Sequence, residues 1–277
     1  MSDALRTPAA VLGVALTIAL LGLALFADLL APGDPFASVA PPLSPPSRAH
    51  PMGSDDLGRD VLSGVIHGAR TSVVVSLGVT AVAALIGIVV GAVAGYRSGG
   101  VDDLLMRGTE AVQVVPRFFL AVVVIALFGP GLDRMVWVLG LSSWPATARV
   151  VRAETLSLAR RDFVDAARAL GASAPRIVIR HVLPNALPAA LVAVSLNAAS
   201  VILLEAGLGF IGLGDPHAVS LGYLANNAQR FLRVAWWMAV FPGAAIALAI
   251  LGLNLLGDTL ADLGHPHRVR GGALAAS

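Results

Sequence analysis

Four long apolar runs, at residues 9–30, 73–95, 187–208 and 235–256, constrain this chain more than any other feature of its sequence. Each supplies about the 20 residues that a helix rising 1.5 Å per residue needs to cross a ~30 Å hydrocarbon layer. The apolar residues come in runs rather than in alternation, which argues against a large soluble core. Composition agrees: 57% of the 277 residues are hydrophobic and 13% are charged, against roughly 25% charged in soluble domains. The mean hydropathy is +0.81. The sequence therefore predicts an all-α polytopic membrane protein.

Two weaker candidate spans lie between the second and third runs. Residues 104–128 include Arg107, Glu110, Pro116 and Arg117, residues 135–150 include Pro145, and the turn Gly129-Pro130-Gly131 separates the two. Counted as two spans they give six crossings, and counted as a re-entrant hairpin they give four. Both totals are even, so the orientation of everything downstream is the same. With the N-terminus inside, the inner segments hold Arg6, Arg97, Arg107, Arg149, Arg152, Arg160, Arg161, Arg168, Arg176, Arg180, Arg268 and Arg270. The outer segments hold Arg48, Arg59, Arg70, Arg134, Arg230 and Arg233, and Arg117 is unassigned. That excess places both termini in the cytoplasm. The first run is longer than a secretory h-region and is read as an uncleaved first helix.

The sequence divides at four places. Residues 1–31 hold a short tail and the first helix, and residues 32–72 an outer loop with an interfacial helix. Residues 73–257 form the membrane core, with a cytoplasmic loop at about 149–186, and residues 258–277 a cytoplasmic tail. Within the core, Gly87, Gly91 and Gly95 recur at four-residue spacing, leaving one helix face without side chains for close packing. The proline-rich stretch from Pro32 to Pro51 is expected to be extended and mobile. After it, Asp55 or Asp56 is expected to cap a surface helix with Val61, Leu62, Val65 and Ile66 on its apolar face.

All 19 basic residues are arginine, and the chain has neither lysine nor cysteine. No P-loop lysine, Schiff-base amine, disulfide, thiolate metal site or thiol nucleophile is available. The pI near 9.9 thus reflects arginine alone. A net charge of +2 does not suggest a nucleic-acid partner. The histidines are scattered, no metal site is expected, and no H-E-x-x-H or G-x-S-x-G sequence marks a catalytic residue.

The central loop is unusual. Residues 149–181 carry seven arginines, each costing ~2.5–3.5 kcal/mol at the centre of a membrane helix. The spacing predicts a surface helix from about Arg161 to Leu170, with Phe163, Ala166, Ala167 and Leu170 on one face and Arg161, Asp165 and Arg168 on the other. Gly171 then stops it, and Ser173 and Pro175 start a second helix that runs through His181 to Pro184. A hook of this kind can lie on anionic lipid or simply connect two spans. Its small Ala166-Ala167 face also suits a groove in a soluble partner.

Asp165-Ala166-Ala167, then Gly171, His181, Leu183 and Pro184 resemble the E-A-A loop of the membrane subunits of binding-protein-dependent ABC importers. Aspartate replaces the usual glutamate at 165 and histidine the usual isoleucine at 181. The stretches SDDLGRD, GARTS, GYRSGGVDD, WPATARVVRAETLSL, LLEAGLGFIGLG and NLLGDTLADL extend the likeness over most of the chain from about Gly53 to Leu263. They are most similar to the second permease of the dipeptide, oligopeptide and nickel importers. The outer loop DPHAVSLGYLANN is shorter than usual in that family and lacks a tryptophan.

The resemblance implies a type I ABC importer permease fold with about six transmembrane helices. It also implies ATPase coupling through Phe163, Asp165, Ala166, Ala167, Leu170, Gly171, His181, Leu183 and Pro184. The partners implied are a homologous permease, two ATPase subunits that hold ATP and Mg²⁺, and an extracytoplasmic binding protein. The chain itself would bind no cofactor and catalyse nothing. Peptides are the expected cargo, with nickel chelates, glutathione and haem as alternatives. A secondary transporter or channel competes with this reading, but no repeat or pair of mid-membrane charges supports it. Asn197, Glu205 and Asn254 are candidates to line a path, and each is equally suited to a helix-to-helix hydrogen bond.

Overall fold

The computed structural model describes residues 7–264; Arg6, Arg268, Arg270 and most of the expected C-terminal tail lie outside the described residues. Among those residues the fold is built from helices, with two isolated bridges, Ser38 to Arg59 and Ser54 to Asp60, in the outer loop. In chain order the helices are α1 (Pro8–Leu25), α2 (Ala27–Leu30), α3 (Val61–Arg97), α4 (Gly99–Val114), α5 (Arg117–Phe128) and α6 (Leu132–Leu158). They continue with α7 (Asp162–Ala169), α8 (Ala174–Ile177), α9 (Leu183–Phe210), α10 (Leu221–Ala228) and α11 (Trp237–Gly264). A π-helical turn, Val178–Val182, joins α8 to α9.

The run 9–30 is divided at Phe26 between α1 and α2, and the other three strong runs lie in α3, the continuous helix Ala174–Phe210 and α11; α1 and these three are each long and apolar enough to cross a membrane. The pair α4 and α5 qualifies as a fifth span, bent by 68°. The register between α3 and α6 decides whether that pair is a crossing. A Cβ on Gly78 would meet Val136, one on Gly140 would meet Val82, and Gly87, Gly91 and Gly95 face Thr147, Val151 and Thr155. The numbers rise together, so α3 and α6 run parallel over a depth of ~26 Å. The chain must therefore return through α4 and α5 before α6 begins. The re-entrant alternative is excluded and six passages result, with α6 sheltered from lipid along α3 despite its more polar sequence.

The remaining helices alternate in direction. Ser76 Oγ on α3 donates to the Ala198 carbonyl of α9 at 3.0 Å, while Ala190, nearer the start of α9, clusters with Ala92. Gly13 of α1 abuts Leu255 of α11, and Gly252 abuts Leu16. The start of α1, the hook after α6 and the end of α11 thus share one end of the bundle. The segment 31–60 and α10 occupy the other.

Several expectations require correction. The candidate span 104–128 is two helices, because Pro116 has no N–H to continue the ladder and holds Val115 extended (φ −87°, ψ 120°). The interfacial helix is the first part of α3 and does not bend onto the membrane surface. Asp60, not Asp55 or Asp56, caps it by accepting from the Ser63 amide at 2.8 Å. Val61 and Val65 are buried against Leu221, Trp237 and Met238, and Ile66 against Ala27 and Ala31, so that face is already covered by protein. The division at 72 therefore falls inside a helix, and α11 likewise continues past 258 to Gly264.

The proline-rich loop is folded back on itself. The Val39 and Ala40 amides donate to the Gly58 carbonyl, the Leu43 amide to Asp55, and Trp237 Nε1 donates to the Ser54 carbonyl at 3.1 Å. Buried Asp55 accepts from the Leu57 and Arg59 amides. Burial pushes its carboxyl above the ordinary aspartate range, and these two amides oppose the shift. Finally, Pro184 does not end the second helix of the hook. The π-turn before it places the missing N–H where the ladder is already re-registered, and the helix runs on to Phe210.

Candidate functional site

The hook is pinned on one side and open on the other. The C-terminal turns of α6 extend to Leu158, so Arg149 and Arg152 belong to that helix, and the loop proper is shorter than the expected 149–186. Arg152 reaches Asp102 of α4 through Nε and Nη2, both at 2.5 Å, which ties α4 to α6 near the hook. Beyond the corner, Leu158, Val164, Ile177, Val182 and Ala186 form a buried cluster, with Tyr96, Ala167 and Ala172 packed around it. The Arg168 guanidinium lies 5.6 Å from the centre of the Tyr96 ring and donates to Asp165 at 2.9 Å. Tyr96 chiefly, and Asp165 secondarily, hold the Arg168 proton more tightly than on a free arginine.

The C-terminus of α7 closes through paired bonds. The Gly171 amide donates to the Arg168 carbonyl and the Ala172 amide to the Ala167 carbonyl, the 5→2 and 6→1 pattern of a Schellman cap. Gly171 adopts φ +79°, and nothing lies within 4 Å of where its Cβ would be. Glycine is required there by backbone conformation rather than by space.

The faces of α7 differ from the pattern expected from sequence. Val164, absent from the expected apolar face, is the fully buried residue, and Ala167 packs beside it. Phe163, Ala166 and Leu170 point outward, with Leu170 88% exposed. The remaining expected coupling residues are further along. His181 is half-buried, with its carbonyl accepting from Asn185 Nδ2 at 2.6 Å, and Leu183 packs on Ala92, Val151 and Ala190. Pro184 is exposed. The structure thus brings Phe163, Ala166 and Leu170 together on an outer face, and places His181, Leu183 and Pro184 on the second arm. Sequence reasoning missed the anchors Val164, Ile177 and Val182, although Ile177, Val182 and Ala186 recur near helical spacing.

The polar residues inside the bundle fall into two groups. Glu205 is 1% exposed near the outer end of α9 and accepts from Ser72 Oγ on α3 at 2.6 Å. Asn197 is buried, and its Oδ1 accepts from Arg117 Nη1 at 3.5 Å; the same Nη1 donates to Ser143 Oγ at 3.3 Å. Asn254 is half-buried on α11 and belongs to neither group. Gly87, Gly91 and Gly95 lie against the α6 backbone, with a Cβ on Gly91 falling 2.5 Å from the Ala148 carbonyl oxygen. Among the described residues no cluster of His, Asp or Glu has the arrangement of a metal site.

A family model described as binding-protein-dependent transport system inner membrane component matches residues 87–270. A putative peptide transport system permease protein of Brucella suis biovar 1 is 39% identical over 92% of this chain and 86% of its own length. The di/tripeptide transport system permease protein of Pseudomonas aeruginosa is 37% identical over 86% of this chain and 82% of its own. A probable D,D-dipeptide transport system permease protein of Escherichia coli is 34% identical over 94% and 88%. Among solved structures, the MetNI methionine ABC transporter in an inward-facing conformation superposes with a TM-score of 0.61 at 20% identity. That likeness covers 73% of this chain and 96% of the other, and it concerns the fold.

Proposed function

Because this chain belongs to the inner membrane components of binding-protein-dependent transport systems, we propose that it forms half of the translocation pathway of an ATP-driven di- or oligopeptide importer and is coupled to its ATPases through α7. It is a permease subunit, related to permease proteins rather than to ATPases. ATP and Mg²⁺ would be held by two partner ATPase subunits, since the chain has no lysine for a nucleotide-binding P-loop. A homologous permease completes the pathway, and an extracytoplasmic binding protein delivers cargo to the end formed by the folded outer loop and α10. Peptide cargo is supported by what the relatives are said to transport.

The observation that carries the coupling proposal is the division of α7 into a buried and a bare face. Phe163, Ala166 and Leu170 are exposed although apolar, at the end of the bundle where Arg149, Arg160, Arg161, Arg176 and Arg180 gather. Those arginines favour the cytoplasmic side for that end, and with it the starts of α1 and the end of α11. An apolar helix face outside the membrane gains by entering a groove. The opposite face is locked to α3, α6 and α9, so a displacement of α7 is transmitted to three membrane helices. Closure of the ATPase pair would then move the permease between inward- and outward-facing arrangements, provided each nucleotide state favours one of them.

The test is Ala166→Asp in the complete transporter reconstituted in vesicles. The variant is expected to insert and assemble, to lose ATP-dependent peptide uptake, and to lose stimulation of ATPase activity by loaded binding protein. Normal uptake with normal stimulation would contradict the docking role.

A further inference from the structure

The geometry points to a carboxylate-binding subsite at Arg117, Ser143 and Asn197, and we infer that it takes the C-terminal carboxylate of a peptide in transit. The inference rests on the peptide-importer reading above. Ser143 lies on α6 between Gly140, which faces Val82, and Thr147, which faces Gly87. Arg117 therefore reaches across the middle of the apolar run 73–95, the depth at which a charge is least tolerated by lipid. Among the described residues no aspartate or glutamate lies within ion-pair distance of it. Its two hydrogen bonds, at 3.3 and 3.5 Å, are long and both use Nη1. The other guanidinium donors are free to form the paired bonds that a carboxylate accepts.

Three further observations converge on the same place. Asn197 is 7% exposed, and its Nδ2 donor has no partner, a condition that a native interior rarely leaves uncompensated. Arg117 is the first residue of α5, which has no side-chain cap, so the positive end of a 12-residue helix opens at the break after Pro116. Broken membrane helices present this end to anionic groups of transported substrates. A cavity of about 190 Å³ opens beside the break, lined by Gln113, Pro116, Arg117, Ser142, Ser143 and Pro145; Asn197 is not part of its wall and meets the site through Arg117. Every linear peptide with a free C-terminus carries one carboxylate whatever its side chains, so this handle tolerates sequence variation in the cargo.

The test uses the purified permease–ATPase complex without binding protein. Radiolabelled trialanine and trialanine amide, each at millimolar concentration, are equilibrated against it by dialysis. The free acid should be retained about tenfold better than the amide. Arg117→Gln should abolish that preference. Asn197→Asp, which supplies an internal carboxylate to Arg117, should do the same and serves if the first variant fails to assemble. Equal retention of acid and amide by the unaltered complex, no retention, or a preference that survives both changes would overturn the subsite. Peptide uptake by the same preparation with its binding protein is measured in parallel. Failure of uptake counts against the peptide-importer reading, whereas normal uptake without acid preference counts against the subsite alone.

Discussion

Truncating Leu170 to alanine separates docking from folding. Leu170 is 88% exposed, so its side chain contributes little to the stability of this chain. Full burial of a leucine is worth about 1.5–3 kcal/mol, and alanine keeps part of that area. If the ATPase groove covers the outer face of α7, Leu170→Ala should cost about 2 kcal/mol of docking, which is roughly a 30-fold weaker dissociation constant. Val164→Ala provides the contrast. That side chain is fully buried beneath the same helix, and its loss should destabilise the hook by about 2 kcal/mol. The assay is the affinity of the detergent-solubilised permease pair for its ATPase subunits, with the thermal midpoint measured on the same samples. Leu170→Ala should weaken binding and leave the midpoint unchanged, whereas Val164→Ala should lower the midpoint. Unchanged affinity in Leu170→Ala, or a fall in its midpoint matching that of Val164→Ala, would refute the two-faced reading of α7.

Three other outcomes follow from local geometry. Gly91→Ala forces a Cβ to 2.5 Å from the Ala148 carbonyl, and separating α3 from α6 should cost about 1–3 kcal/mol, seen as a lower thermal midpoint; Gly22→Ala, with nothing within 4 Å, should not lower it. Gly171→Ala meets no neighbour but places an L side chain at φ +79°, so amide exchange at Ala172 should accelerate about fivefold, for a cost near 1 kcal/mol. Asp60→Ala removes the acceptor for the Ser63 amide and should lower the stability of the outer end of α3 by about 1 kcal/mol, read from amide exchange in that first turn.

The long helices were legible because membrane insertion demands uninterrupted apolar length, and residues 9–30, 73–95, 187–208 and 235–256 meet that demand on their own. The hook was legible too, since Gly171 and Ser173 mark a stop and a start that hold in any surroundings. The side of α7 that turns inward was not. In so short a helix, Val164 and the set Phe163, Ala166 and the capping Leu170 are competing apolar faces, and only Ile177 and Val182, brought in by the second arm, settle which is covered. The parallel alignment of α3 with α6 is a tertiary fact, as is the covering of Val61 and Val65 by α10 and α11, which removes the need for a surface helix. Pro184 reads as a stop because local rules cannot anticipate the π-turn that accommodates it. Arg117 carried a sequence signal, a charge beside a proline within an apolar run, but its neighbours Ser143 and Asn197 are contributed by α6 and α9.

The most direct measurement of the central claim uses the absence of cysteine from the chain. Leu170→Cys places a single thiol on the outer face of α7, and Ser38→Cys places one in the outer loop as a control. In the assembled transporter, a short thiol-to-amine cross-linker should join Leu170→Cys to an ATPase subunit and leave Ser38→Cys unjoined. A transport-competent Leu170→Cys complex that forms no such cross-link, or whose thiol is labelled by an impermeant reagent applied from outside the cell, would contradict it.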